Sequence, residues 1–128
     1  MGELMETIYL SGPMTGKPDF NVAEFNRYAR KYRALGFRVL SPPELDAGDT
    51  SQPWKFYIRR DILVLLDEGV TRIYMMPDWE FSRGARLERH IAESFGILVY
   101  DAETDQQLGA AFPVPKTARF ATHSPGVA

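Results

Sequence analysis

The alternation of four short β-prone runs with helix-length amphipathic stretches is the feature that most restricts how this chain can fold. The runs are Glu6–Ser11, Phe37–Leu40, Val70–Met76 and Ile97–Tyr100, the first three closed by turns rich in proline or glycine. Between the first two, Val22, Phe25, Tyr28, Ala29, Tyr32 and Leu35 mark one helical face; Asn21 and Glu24 have capping-box spacing before it, and Gly36 ends it. Pro42, Pro43 and the segment Leu45–Gln52 read as loop. A second helix starts at Pro53, a residue suited to a first turn, and carries the stripe Trp54, Tyr57, Ile58, Asp61, Leu65. Ser82 caps a third helix running to about Phe95, with Gly96 behind it.

Strands separated by helices of this length pair in parallel through right-handed crossovers. The expected architecture is therefore α/β: a single-domain, doubly wound parallel sheet in a Rossmann-like three-layer sandwich. In such sheets ligands bind outside the carboxyl ends of the strands, here the loops Ser11–Gly16, Ser41–Glu44 and Pro77–Ser82. The pattern fades after residue 100, so residues 1–100 form the expected domain. Residues 101–128, with Phe112, Phe120 and His123, form either an extension or an arm that packs on a neighbouring subunit.

Composition narrows the function. With 128 residues, 45% of them hydrophobic, there is material for one core and no room for a second domain. A net charge of -2 without a basic stripe argues against a nucleic-acid polymer as partner, while leaving room for one small anion. The absence of cysteine and the presence of only two histidines argue against disulfides, thiol nucleophiles and most transition-metal sites. No run reaches transmembrane length and the N-terminus lacks a signal-peptide pattern, so a soluble cytoplasmic protein is expected. Large aromatics on the first two helices, Tyr28, Tyr32, Trp54 and Phe56, read as exposed and point to a homodimer or larger homo-oligomer.

Two acids stand where helix faces should be apolar. Glu88 shares a stripe with Gly84, Ile91, Ala92 and Phe95, and Asp61 falls within the second-helix stripe. A carboxylate in such a place is costly unless paired, hydrogen-bonded or kept for chemistry. The structural alternatives are a solvated Glu88 and an Asp61 paired with Arg59 or Arg60. The turn Ser11–Gly16 is neither a dinucleotide fingerprint nor a Walker loop, which disfavours a nicotinamide cofactor, but it offers backbone N–H groups with Lys17 beside them. Ser82, Arg83 and Gly84 open a helix whose free amides suit a phosphate; simple capping by Ser82 is compatible with that role.

The succession YLSGPMTG, NVAEFNRYARKYRALGFRVLSP, RRDILVLL and PDWEFSRGARLERHIA resembles the nucleoside 2-deoxyribosyltransferase superfamily, particularly its small bacterial and phage branch, over residues 6–100. The resemblance implies a flavodoxin-like sheet and cleavage of the N-glycosidic bond of nucleosides or nucleotides, with no metal or organic cofactor. It implies that Glu88 is the nucleophile, that Asp61 assists departure of the base, and that Tyr9 is the tyrosine of the first-strand motif. Six residues before the nucleophile, transferases tend to carry an aspartate for the free 5′-hydroxyl, whereas relatives that hydrolyse 5′-monophosphates carry a serine; here Ser82 stands there. A hydroxyl at a helix N-terminus accepts a phosphate that a carboxylate would repel.

The reading that follows is a nucleotide N-glycosidase. Ser11, Gly12, Ser82 and Gly84 would hold the 5′-phosphate with help from Arg83, and Met14, Phe20 and Trp79 would enclose the base. Its alternatives are a deoxyribosyltransferase that exchanges bases, a nucleotide-binding module without turnover, and a structural protein on the same scaffold.

Overall fold

The computed structural model describes residues 5–109. The elements run β1 (Thr7–Ser11), a 3-10 turn (Pro18–Asn21), α1 (Val22–Ala34), β2 (Arg38–Leu40), α2 (Pro42–Asp46), α3 (Trp54–Asp67), β3 (Val70–Met75), a second 3-10 turn (Trp79–Phe81), α4 (Arg83–Ser94) and β4 (Leu98–Asp101). The four strands form one parallel sheet in the order β2-β1-β3-β4. This is the expected doubly wound α/β sandwich.

Strand β1 is buried along its whole length, so its alternating side chains feed two separate cores. Ile8 and Leu10 join Phe25, Tyr28, Ala29 and Tyr32 of α1 on one face. Tyr9 joins Leu65 of α3, and Ala85 and Ala92 of α4, on the other. One helix layer is thus α1 and the opposite one is α3 with α4.

Several local expectations need correction. Asn21 is not a capping-box residue: it lies in the left-handed region at φ 65°, and its Nδ2 donates to Pro13 O at 3.0 Å, while Glu24 pairs with Arg27. Pro42–Asp46 is a short helix, because prolines at the first helical positions start a helix as readily as they stop a strand. Leu35 and Phe95 leave their stripes and are exposed, each being the residue after the last helical one. Tyr28 and Tyr32 are core residues, which removes them from any surface; Tyr32 packs on Tyr74 at 4.2 Å between ring centroids.

Residues 101–109 remain with the domain. Gln107 bridges Tyr100 in antiparallel fashion, Leu108 N donates to Val99 O at 2.8 Å, and Arg89 reaches Gly109 O at 2.7 Å. The rest of the tail, including Phe112, Phe120 and His123, lies outside the described residues.

Candidate active site

The winding of the sheet reverses between β1 and β3, so a crevice opens at the carboxyl ends of these two strands. A cleft of about 300 Å³ lies there. Gly12 and Met14 border it after β1, Pro42, Pro43 and Asp46 come from α2, and Trp54, Tyr57 and Ile58 supply the α3 wall. Ser82, Gly84 and Ala85 add the first turn of α4, and the two buried acids Asp61 and Glu88 both open into the space.

Glu88 is 4% exposed and faces the sheet from α4. Tyr9 and Ser11 meet it because they share one face of β1. The Tyr9 hydroxyl donates to Oε2 at 2.9 Å and the Ser11 hydroxyl to Oε1 at 2.6 Å, so both carboxyl oxygens are held. Burial, with the negative charge of Asp61 added, pushes the Glu88 carboxyl up to about 8, although the two hydroxyl donors pull the other way. The Tyr9 hydroxyl is itself driven well above its ordinary value by burial and by Glu88.

Asp61 is 6% exposed and paired with its chain neighbour. Arg60 donates to its Oδ1 through Nε at 3.1 Å and Nη2 at 2.6 Å. The same Nη2 lies 2.6 Å from Asp46 Oδ1, a close ion pair whose alignment is too poor for a hydrogen bond. Burial raises the Asp61 carboxyl to about 6, against the pull of Arg60. Near neutral pH the two buried acids therefore hold one proton between them, mainly on Glu88.

The first turn of α4 is built for close approach. The Ser82 hydroxyl oxygen accepts from Ala85 N at 3.1 Å, which leaves its own proton to donate elsewhere. Gly84 sits under α3, where an added Cβ would lie 3.4 Å from Ile58 Cδ1. At Gly12 an added Cβ would come within 2.8 Å of Met76 Cβ, so glycine is required there by packing. Across the cleft mouth Asp19, Phe20 and Asn21 adopt φ of 49°, 52° and 65°, a left-handed turn that costs on the order of 1–2 kcal/mol per residue for ordinary side chains. The result is that Phe20 lines the cleft while remaining 42% exposed.

The sequence matches the family described as a domain of unknown function, DUF4406, over residues 6–101. The chain belongs to the DUF4406 family. No curated protein matches it. Among solved structures, the DUF4406 chain is similar to the 2-desoxiribosyltransferase from Leishmania mexicana, with 16% identity and a TM-score of 0.57 over 91% of this chain and 95% of that one. That likeness shows a shared fold.

Of the residues singled out from sequence, the DUF4406 structure gathers Glu88, Asp61, Gly12, Met14, Phe20, Ser82 and Gly84 around the cleft, with Tyr9 and Ser11 behind Glu88. Two lie elsewhere. Trp79 packs on the α4 side of the core with Arg89 4.8 Å from its ring, and the 3-10 turn carries it to a separate shallow groove on α4. Arg83 borders that same groove, its guanidinium stacked 3.7 Å from the Trp54 ring. Lys17 pairs with Asp78. The sequence reading missed Trp54, Tyr57 and Ile58 as cleft residues, although they share the Asp61 stripe. It also missed the rim Asp46, Asp49, Thr50 and Gln52, which sits in a segment without periodicity. That rim is tied to α3 by Tyr57, whose hydroxyl donates to Asp49 O and accepts from Gln52 N. Among the described residues no group of three or more acids or histidines is placed to hold a metal ion, and no helix is long and apolar enough to cross a membrane.

Proposed function

We propose that the protein cleaves the N-glycosidic bond of a nucleoside 5′-monophosphate, with Glu88 as nucleophile and water as acceptor. The observation that carries this reading is the buried Glu88 carboxyl, fixed at both oxygens and opening into a cleft that a second buried acid shares. Glu88 in its ionised form attacks C1′ as the bond to the base breaks, and the departing nitrogen takes a proton from Asp61. The product is a glycosyl ester on Glu88 and a neutral base. Water then attacks C1′, giving its proton to Asp61, and the sugar phosphate leaves with Glu88 ionised again. Tyr9 and Ser11 keep the attacking oxygens in line, and their hydrogen bonds stabilise the anionic carboxylate. No metal or organic cofactor enters these steps.

For the 5′-phosphate the support is the α4 N-terminus, with its free amides and the spare proton of Ser82. One observation favours a second reading: among the described residues no lysine or arginine lines the cleft. An uncharged nucleoside suits such a lining, and with a second base as acceptor the reaction becomes a deoxyribosyl transfer, the activity named for the similar solved structure. Incubating wild type and Glu88→Ala with nucleosides and 5′-monophosphates, while following free base by chromatography, separates the two. Base release from monophosphates alone, lost in the variant, is the expected result. Release that requires an acceptor base establishes transfer, and undiminished release by Glu88→Ala refutes both.

A further inference from the structure

The chain leaves the sheet at a point fixed by its own pairing. After the turn that follows β4 it runs back antiparallel to that strand, with Gln107 opposite Tyr100 and Leu108 bonded to Val99. Strand β4 begins at Leu98, so no strand residue remains to pair beyond Gly109, and the chain must turn off the sheet edge there. Arg89 marks the exit. It is a buried arginine whose guanidinium donates to Gly109 O at 2.7 Å and lies 4.8 Å from the centre of the Trp79 ring. Gly109 is therefore held by a side chain that also borders the groove on the outer face of α4.

That groove has a volume of about 520 Å³ and a largely apolar surface. Trp79 and Leu87, both half-buried, supply its apolar side chains, and the exposed Arg83 and Arg86 flank them. The sequence that follows Gly109 has matching chemistry. Residues 110–115 read AAFPVP, without a charge, and the first cation is Lys116. Arg83 and Arg86 disfavour Lys116 and Arg119 beside them, so the uncharged piece is the part of the tail that suits this surface. Pro113 and Pro115 lack N–H groups and favour extended backbone, the form in which proline-rich segments lie on aromatic-lined grooves without a ladder of hydrogen bonds. Phe112 stands three residues past Gly109, a span of up to about 10 Å, and the two contacts of Arg89 bring Trp79 within reach of its side chain.

We infer that the outer groove of α4 is the seat of residues 110–115 of the same chain, with Phe112 against Trp79 and Leu87. The opposite side of α4 turns Ala85, Glu88 and Ala92 inward, so the seated segment braces from outside the helix that carries Glu88. The tail is then neither a loose extension nor an arm given to a neighbouring subunit. The inference stands apart from the proposed reaction.

Disulfide trapping in the full chain tests it, because the chain has no cysteine and an engineered pair is the only one present. Arg86→Cys beside the groove, combined with Val114→Cys, is expected to close within one chain when diamide is added, at a rate that dilution does not change. That rate should be about tenfold or more above the rate for Arg30→Cys with Val114→Cys, in which the first position is exposed on α1 across the sheet. Non-reducing electrophoresis and a count of free thiols read both. In a Trp54→Phe background Trp79 is the one tryptophan. There Phe112→Lys is expected to raise acrylamide quenching of Trp79 by about twofold or more, with an unchanged far-UV circular dichroism spectrum, since a cation does not seat in an apolar groove flanked by Arg83 and Arg86. A trapped product of twice the chain mass, as when the tail of a second copy fills the groove, overturns the inference. So does trapping no faster than in the α1 control, or quenching that Phe112→Lys leaves unchanged.

Discussion

Glu88→Gln should make this protein more stable, by an amount that grows with pH. The carboxyl titrates near 4.5 in an unfolded chain and near 8 in the folded one, because the folded protein takes it out of water. A carboxyl raised in this way contributes stability that is complete below about 4.5 and is lost as pH rises through about 8, since the native state holds its proton longer than the unfolded state does. Glutamine keeps the shape and an acceptor for Tyr9 or Ser11 but has no proton to lose. The separation of about 3.5 between the two values, at about 1.4 kcal/mol each, sets a ceiling near 5 kcal/mol. Water entering the open cleft lowers the expected gain to on the order of 2–3 kcal/mol at about pH 8. Urea denaturation of both proteins at about pH 5, 6.5 and 8.5 measures it, and taking the difference at each pH cancels groups common to both. The gap should be small at the acid end, widen at up to about 1.4 kcal/mol per pH unit, and level off above about 8. A gap that stays constant with pH, or a wild type that gains on the variant as pH rises, would show that Glu88 is not the buried neutral acid described above.

Three further perturbations address other parts of the site. Gly12→Ala drives a Cβ into Met76 and should cost about 1–3 kcal/mol in chemical denaturation; an unchanged midpoint would show that the β1 turn yields freely. Arg60→Met strips the partner from buried Asp61 and should lower stability by about 2–4 kcal/mol near neutral pH, with the loss shrinking as pH falls through about 6 and Asp61 takes a proton; a pH-independent loss would assign the effect to packing. Ser82→Asp keeps a capping oxygen for Ala85 N but sets a carboxylate at the α4 N-terminus. It should raise KM for a 5′-monophosphate at least tenfold, corresponding to about 1.4 kcal/mol, and leave a nucleoside nearly unaffected; equal effects on both would remove the phosphate from this position.

The fold was legible because its signals are periodic. Alternating side chains on β1 and the three/four stripes on α1, α3 and α4 survive errors of a residue at each end, and those stripes put Glu88 and Asp61 on inward faces while leaving a solvated Glu88 and an ion-paired Asp61 open; the structure buries both and pairs Asp61 with Arg60. What escaped was decided by tertiary contacts or by residues with two local meanings. Asn21 and Glu24 have the spacing of a capping box, but the carbonyl of Pro13 claims the Asn21 side chain and turns the backbone left-handed. Pro42 and Pro43 end a strand and begin a helix in the same step. Trp79 and Arg83 lie close to Ser82 in sequence, yet Trp79 packs with Arg89 and Arg83 stacks on Trp54, and both border a separate groove. Arg60 was one of two arginines that sequence offered to Asp61, and its simultaneous approach to Asp46 depends on where α2 lies.

That last contact bears on how the proposed reaction begins. One proton is shared by two buried acids, and in the unliganded protein Arg60 holds Asp61 ionised while Glu88, whose partners are neutral hydroxyls, keeps the proton. Attack at C1′ needs the reverse, an ionised Glu88 and a protonated Asp61. A bound sugar that develops positive charge at C1′ favours the Glu88 anion, and a base whose nitrogen lies against Asp61 favours a proton there. Arg60 is the group able to let the proton cross, because its Nη2 already stands as close to Asp46 as to Asp61. A small rotation toward Asp46, which faces the cleft from α2, withdraws the charge that holds Asp61 ionised. Removing the Asp46 carboxylate should therefore leave Arg60 committed to Asp61. The alkaline limb of the rate profile, where Asp61 must still carry a proton, should then move to lower pH.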